Sequence, residues 1–254
     1  MSELALITGA TSGIGEASAR KLASQGYNLI ITGRRRERLI KLAGEVTSQF
    51  GVKVQWLCFD IRKRKEVEQA MASLSPEWQA VDVLINNAGL AAGLNLLQEG
   101  SVDDWEQMID TNIKGLLYIT RFVAPKMIER GKGHIINLGS IAGKEVYPKG
   151  NVYCATKFAV NALTKAMRVD MLQHGIKVSQ VCPGAVETEF SEVRLKGDKQ
   201  AAANVYKGFK PLTAGDVAEA IWWIISQPAH VNINDLVIMP VSQAAPPYHH
   251  KKTE

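Results

Sequence analysis

Seven short apolar runs punctuate the chain: Leu4–Thr8, Asn28–Thr32, Lys53–Phe59, Val81–Asn86, His134–Leu138, Lys177–Cys182 and Leu236–Met239. Most lack the alternation of a strand with one wet face, so they read as strands buried on both sides. Between them, near 14–25, 35–50, 63–74, 101–130, 151–174 and 213–227, apolar residues return at helical spacing. Two of these segments open with Ser101-x-x-Asp104 and Thr213-x-x-Asp216, where a hydroxyl can accept from an orphan N–H of the first turn. Alternation of this kind predicts an α/β fold: one doubly wound parallel sheet with helices on both faces. Such sheets bind ligands at the carboxyl ends of their strands, which directs attention to the loops after each run.

The loop after the first run reads Thr8-Gly9-Ala10-Thr11-Ser12-Gly13-Ile14-Gly15 and leads into a helix. Its glycines permit positive φ and close approach of a pyrophosphate, and the free N–H groups of the helix start attract the anion. Its place between strand and helix predicts a Rossmann-like dinucleotide site. The second run ends Ile31-Thr32-Gly33-Arg34-Arg35-Arg36, without the carboxylate that would bond a ribose 2′-hydroxyl. Arg34 and Arg35 instead offer guanidinium forks to a 2′-phosphate, which predicts NADP(H). The alternative is a solvated charge run, but cations at a helix start oppose its dipole.

Composition adds little to this. Residues 1–243 read as a single domain, with a lid near 187–210 and a polar, flexible tail at 244–254. A net charge of +5 suits an anionic ligand. Nucleic acid is not expected, because the basic clusters Arg34–Arg38 and Arg62–Lys65 have no interleaved aromatics. Cys58, Cys154 and Cys182 fit neither a disulfide framework nor a zinc site and read as buried small residues of a cytoplasmic protein. No metal is expected, since the five histidines lack ligand spacing, and no apolar stretch suggests a membrane span.

Together, Thr8-Gly9-(x)3-Gly13-Ile14-Gly15, Asn86-Asn87-Ala88-Gly89, Asn112, Ser140, Tyr153-(x)3-Lys157 and Pro183-Gly184 resemble the short-chain dehydrogenase/reductase family. Thr188-Glu189-Phe190, Val193–Asp198 and Pro228–Asn234 resemble its NADP-dependent 3-hydroxy acid dehydrogenases. The resemblance implies that Gly9, Thr11, Ser12, Gly13, Ile14 and Gly15 bind the cofactor. It places Asp60 and Ile61 by the adenine, and Asn86, Asn87, Ala88 and Gly89 along the cofactor after the fourth run. Pro183, Gly184, Val186 and Thr188 would lie on the nicotinamide side. Asp60 on sequence alone is equally a helix-capping residue. The resemblance also implies a dimer or tetramer built on the helices of 101–130 and 151–174.

Tyr153 and Lys157 are four residues apart in a helical segment and share a face. A neighbouring ammonium lowers a phenol's pKa, so Tyr153 can serve as base in oxidation and acid in reduction. Ser140 follows the fifth run, where its hydroxyl can bond a substrate oxygen. Asn112 stands in a helical pattern, where Asn is mildly unfavourable. The resemblance assigns it a water that links Lys157 to solvent. Arg194, in the lid, is a candidate for a substrate carboxylate and equally a solvent-facing charge. The reading is therefore an NADP(H)-dependent oxidoreductase of a small 3-hydroxy acid such as serine, allo-threonine or 3-hydroxypropionate. The alternatives are a reductase of another carbonyl class and a non-catalytic NADP(H) binder.

Overall fold

The computed structural model describes residues 2–251. In chain order it contains β1 (Leu4–Ile7), α1 (Gly13–Ser24), β2 (Asn28–Gly33), α2 (Arg36–Phe50), β3 (Val54–Cys58), α3 (Arg64–Ala72), α4 (Pro76–Gln79), β4 (Val83–Asn86), α5 (Val102–Ile109) and α6 (Leu116–Arg130). There follow β5 (His134–Leu138), α7 (Asn151–Asp170), β6 (Lys177–Pro183), β7 (Val186–Glu187), α8 (Phe190–Arg194), α9 (Lys199–Val205), β8 (Leu212–Thr213), α10 (Ala214–Ile225), β9 (Asp235–Ile238), β10 (Gln243–Ala245) and β11 (Tyr248–His249).

Seven strands form one sheet in the order β3-β2-β1-β4-β5-β6-β9, and every neighbouring pair is parallel. Each coincides with one of the seven apolar runs. The chain order reverses between β1 and β4, which opens a crevice at their carboxyl ends. Both faces are covered. Ala19, Leu22, Val217, Ile221 and Ile224 of α1 and α10 pack with Leu39 and Val46 of α2 on one side. Val67, Met71, Ile119, Val123, Met127 and Val160 of α3, α6 and α7 cover the other. Fully burying such a side chain contributes about 1.5–3 kcal/mol, so both layers fix the strand ends firmly. Both anticipated caps form. Ser101 Oγ accepts from Asp104 N at 3.4 Å, and Thr213 with Asp216 makes a reciprocal capping box.

Three expectations are corrected. The long helical pattern at 101–130 is broken by a π-helical turn, Asp110–Gly115, which carries Asn112. Cys154 and Cys182 are buried, but Cys58 is exposed, because β3 is an edge strand. The tail does not run free from 244. β10 and β11 pair antiparallel, and the His249 ring packs against Phe209 at a tilt of 40° with centroids 4.9 Å apart. Positions 252–254 of the expected tail lie outside the described residues. No helix among the described residues is long and apolar enough to cross a membrane, and no cluster of His, Cys, Asp or Glu there could hold a metal.

Candidate active site

A cavity of about 820 Å³ opens at the crevice. The phosphate turn forms its floor at one end. Gly9 and Gly13 have φ of +67° and +56°, a region that L side chains enter at about 1–2 kcal/mol. A Cβ on Gly9 would lie 2.9 Å from Ala88 Cα. The turn is pinned by residues from after β4. Asn87 Nδ2 donates to the carbonyls of Thr8 at 2.9 Å and Gly9 at 3.2 Å. Thr8 Oγ1 accepts from Asn87 N at 3.0 Å and Ala88 N at 2.9 Å. Thr8 thus joins two cofactor loops, a role its place in the motif did not reveal.

Most of the anticipated cofactor residues line this one cavity: Gly9, Thr11, Ser12, Gly13, Ile14, Arg34, Arg35, Asp60, Ile61, Asn87, Ala88, Gly89, Pro183, Gly184, Val186 and Thr188. Gly15 does not. It packs behind the turn, where a Cβ would strike Asn87 and Gly9. Asp60 faces the cavity with both oxygens held by Arg62. Burial would raise its carboxyl, but the Arg62 bonds outweigh that and hold it below the usual range. The Arg34 guanidinium makes no hydrogen bond or ion pair among the described residues. Arg35 donates to Thr11 Oγ1 at 2.9 Å and Ser12 Oγ at 2.7 Å. The glycine cradle, the Arg34 cation and the polar Thr11 and Ser12 fit a phosphorylated dinucleotide.

At the other end stand Ser140, Tyr153 and Lys157. Ser140 begins a short 3-10 turn, Ile141–Gly143, and its Oγ accepts from Ala142 N at 3.1 Å. That turn packs so closely on α7 that a Cβ on Gly143 would strike the Lys157 backbone. Ser140 lies within hydrogen-bonding reach of Tyr153. Lys157 Nζ donates to Leu138 O at 2.8 Å and lies 6.0 Å from the Tyr153 ring centroid.

The electrostatics differ from the simple pairing of phenol and ammonium. Burial pushes the Tyr153 phenol up and Tyr147 adds to this, while Ser140 and Arg194 pull the other way. Burial pulls Lys157 down to about 8, with Cys182 opposing. Burial shifts both groups toward their neutral forms, yet at about 8 Lys157 remains mostly protonated at neutral pH.

Asn112 does not line the cavity. Its Oδ1 accepts from Leu90 N at 2.9 Å, and its Nδ2 donates to Leu90 O at 2.8 Å and Thr156 Oγ1 at 3.0 Å. Thr156 Oγ1 in turn donates to Tyr153 O at 2.8 Å. The π turn delivers an amide that ties the β4 loop to the backbone of α7; such turns occur often at functional sites.

Arg194 is not a solvent-facing charge. Its Nη1 donates to Tyr147 Oη at 2.7 Å and its Nε to Gly93 O at 3.4 Å. Its carbon Cζ lies 5.5 Å from the Tyr153 ring centroid. Its Nη2 is buried and has no partner among the described residues. An unpaired buried guanidinium nitrogen is costly, which points to an absent acceptor. Sequence reasoning missed Tyr147, which orients Arg194, and Gln243, whose Oε1 accepts from Ala185 N at 2.8 Å. Neither belongs to a short motif; only the folded chain brings them to the cavity.

A parallel sheet with a phosphate turn at its switch point, and a serine, a tyrosine and a lysine at the far end of the same groove, define a nicotinamide-type oxidoreductase site. The chain matches the short chain dehydrogenase family over residues 3–199 and belongs to that family. It is 48% identical over 242 residues to NADP-dependent 3-hydroxy acid dehydrogenase YdfG of Escherichia coli (strain K12), covering 95% of this chain and 96% of that one. It is 46% identical over 245 residues to sulfoacetaldehyde reductase 2 of Chromohalobacter salexigens, covering 96% of each. The closed form of serine dehydrogenase complexed with NADP+ superposes with a TM-score of 0.91 at 46% identity, covering 98% of this chain and all of that one.

Proposed function

We propose that this chain is an NADP(H)-dependent oxidoreductase that interconverts a small 3-hydroxy acid and its carbonyl form. The observation that carries the substrate class is the unpartnered Arg194 Nη2 in the cavity of Tyr153. A small anion bonded there presents its hydroxyl carbon a few bonds away, toward the phenol. The relatives' names, a 3-hydroxy acid dehydrogenase and a reductase of a sulfonated aldehyde, share an anionic group on a short carbon chain.

Thr11, Ser12, Arg34 and Arg35 hold the adenosine phosphate, and Asp60 and Ile61 border the adenine. The glycine turn takes the pyrophosphate, while Asn87, Ala88, Gly89, Pro183, Gly184, Val186 and Thr188 complete the groove. The dinucleotide, when bound, supplies or accepts the hydride. Ser140 donates to the substrate oxygen and stabilises its developing charge. Tyr153 takes the hydroxyl proton in oxidation and returns it in reduction. Lys157 holds positive charge beside the groove, and Asn112 is a positioning residue that acts through Leu90 and Thr156. The enzyme works in the cytoplasm as a dimer or tetramer. In support, Ile109, Leu117 and Phe158 leave large side chains 37%, 38% and 41% exposed on α5, α6 and α7.

The test compares 3-hydroxypropionate with 1,3-propanediol in NADP+ reduction, for wild type and Arg194→Leu. One charge-assisted hydrogen bond contributes about 1.5–3 kcal/mol, or roughly 10- to 150-fold. The acid-to-diol ratio of kcat/KM falls by that factor in the variant. An unchanged ratio removes Arg194 as the anion's partner.

A further inference from the structure

One ion-pair cluster joins elements far apart in sequence. Glu189 follows Thr188 and begins the segment that carries α8 and α9. Its Oε2 accepts from Arg35 Nη1 at 2.6 Å and its Oε1 from Arg38 Nη1 at 2.5 Å. Arg35 also grips Thr11 and Ser12, and Arg38 Nη1 reaches Thr11 O at 3.3 Å. A chain of polar contacts therefore runs from the phosphate turn, through two arginines, to the start of the lid segment.

Burial would raise the Glu189 carboxyl, but the bonds from Arg35 and Arg38 outweigh it and hold the group below its ordinary value. It is ionised at neutral pH. The other end of α8 is fastened separately. Gly93 N donates to Arg194 O at 2.9 Å, and Lys196 Nζ pairs with Asp104 Oδ2 at 2.9 Å. Between these fastenings, Phe190 lies 5.6 Å from Tyr153, ring centroid to ring centroid. The segment thus crosses from the adenosine-side arginines to the reacting end and is closed by charge at both ends. Half-exposed ion pairs contribute little each, so such a closure opens at low cost.

We propose that Glu189 is a positioning residue whose carboxylate fastens the lid to Arg35 and Arg38, so that a dinucleotide held in the groove leaves only when this bridge opens. This rests on the dinucleotide reading of the groove. The charges accommodate both partners at once. Glu189 is paired with Arg35 and Arg38, while Arg34 lines the cavity and makes no hydrogen bond or ion pair among the described residues, the Asp60 carboxylate that feels its charge being held already by Arg62. A phosphate is received there without displacing Glu189.

The experiment follows release of NADPH, and separately of NADH, by stopped-flow fluorescence during displacement by excess oxidised nucleotide. It uses the full chain as wild type, Glu189→Gln, Glu189→Asp and Arg38→Ala, the last altering a residue outside the cavity lining. Hydrogen exchange across 190–205 is measured without nucleotide, and thermal melting controls for folding. Glu189→Gln releases both nucleotides roughly 3- to 30-fold faster and exchanges faster across the lid. Glu189→Asp and Arg38→Ala fall between. A carboxylate that merely competed with the phosphate would give slower NADPH release and unchanged NADH release. That result, or unchanged release of both, overturns the proposal. Failure of the wild type to bind NADPH would instead remove the dinucleotide reading, and lid exchange in the nucleotide-free variants would then decide the bridge alone.

Discussion

Lys157→Met isolates one buried cation. The lysine is 7% exposed, and its Nζ donates to Leu138 O at 2.8 Å. Burial, opposed by Cys182, brings it from 10.5 to about 8. Because the folded value lies below the unfolded one, the unfolded chain binds more protons between pH 8 and 10.5. This group's contribution to stability therefore rises with pH through that window. At 1.36 kcal/mol per unit, the whole span amounts to about 3 kcal/mol, of which about 2–3 kcal/mol falls between pH 7 and 10. Methionine has no such titration. The substitution also leaves the Leu138 carbonyl without its donor, at about 1–3 kcal/mol, but that cost does not vary with pH. Titrating groups remote from Lys157 are common to both proteins and cancel, and burial keeps the nearby Tyr153 phenol and Cys182 thiol neutral through this window in both. Urea unfolding at pH 7, 8, 9 and 10 then gives stabilities whose difference, wild type minus variant, climbs by about 2–3 kcal/mol. Parallel curves would refute the reading of Lys157 as a cation poised near neutral pH, and with it a proton that moves easily there.

Three further outcomes are expected. Tyr153→Phe lowers kcat by about 10²- to 10⁴-fold while NADPH binding, followed by fluorescence, stays close to wild type; a substantial residual kcat excludes the phenol as proton donor. Arg34→Ala combined with Arg35→Ala raises KM for NADPH roughly tenfold or more and KM for NADH only by the few-fold that loss of the Arg35–Glu189 pair brings, since only the former carries a 2′-phosphate to the guanidiniums. Equal changes would place the arginines elsewhere in the binding mode. Gly9→Ala forces a Cβ to 2.9 Å from Ala88 Cα at a φ of +67°. Strain and overpacking together cost about 2–4 kcal/mol, so melting falls by several degrees and dinucleotide affinity drops; wild-type melting and binding would contradict the close approach of the two loops.

Much of the fold was legible because it is periodic. The apolar runs met the seven strands within a residue or two, and Ser101 and Thr213 cap where their spacing said they would. What escaped was short or aperiodic. The π turn at Asp110–Gly115 inserts a local change of pitch that a helical pattern over thirty residues averages away. β7 and β8 have two residues each, too few to carry a period. The β10–β11 hairpin sits in a stretch whose polar composition resembles a free tail.

At the site the division is sharper. The sequence by itself determined the glycine turn, the absence of a carboxylate after β2, and the placing of Tyr153 and Lys157 one helical turn apart, because each depends on neighbours a few residues away. Only the tertiary structure decided that Cys58 meets solvent, that Arg194 keeps one buried nitrogen without a partner among the described residues beside Tyr147, and that Glu189 meets Arg35 and Arg38. Hydrogen bonds act only over a few ångströms, and screening confines charge pairs to little more. Which distant residues come that close is set by strand order and packing, and linear spacing carries no record of it.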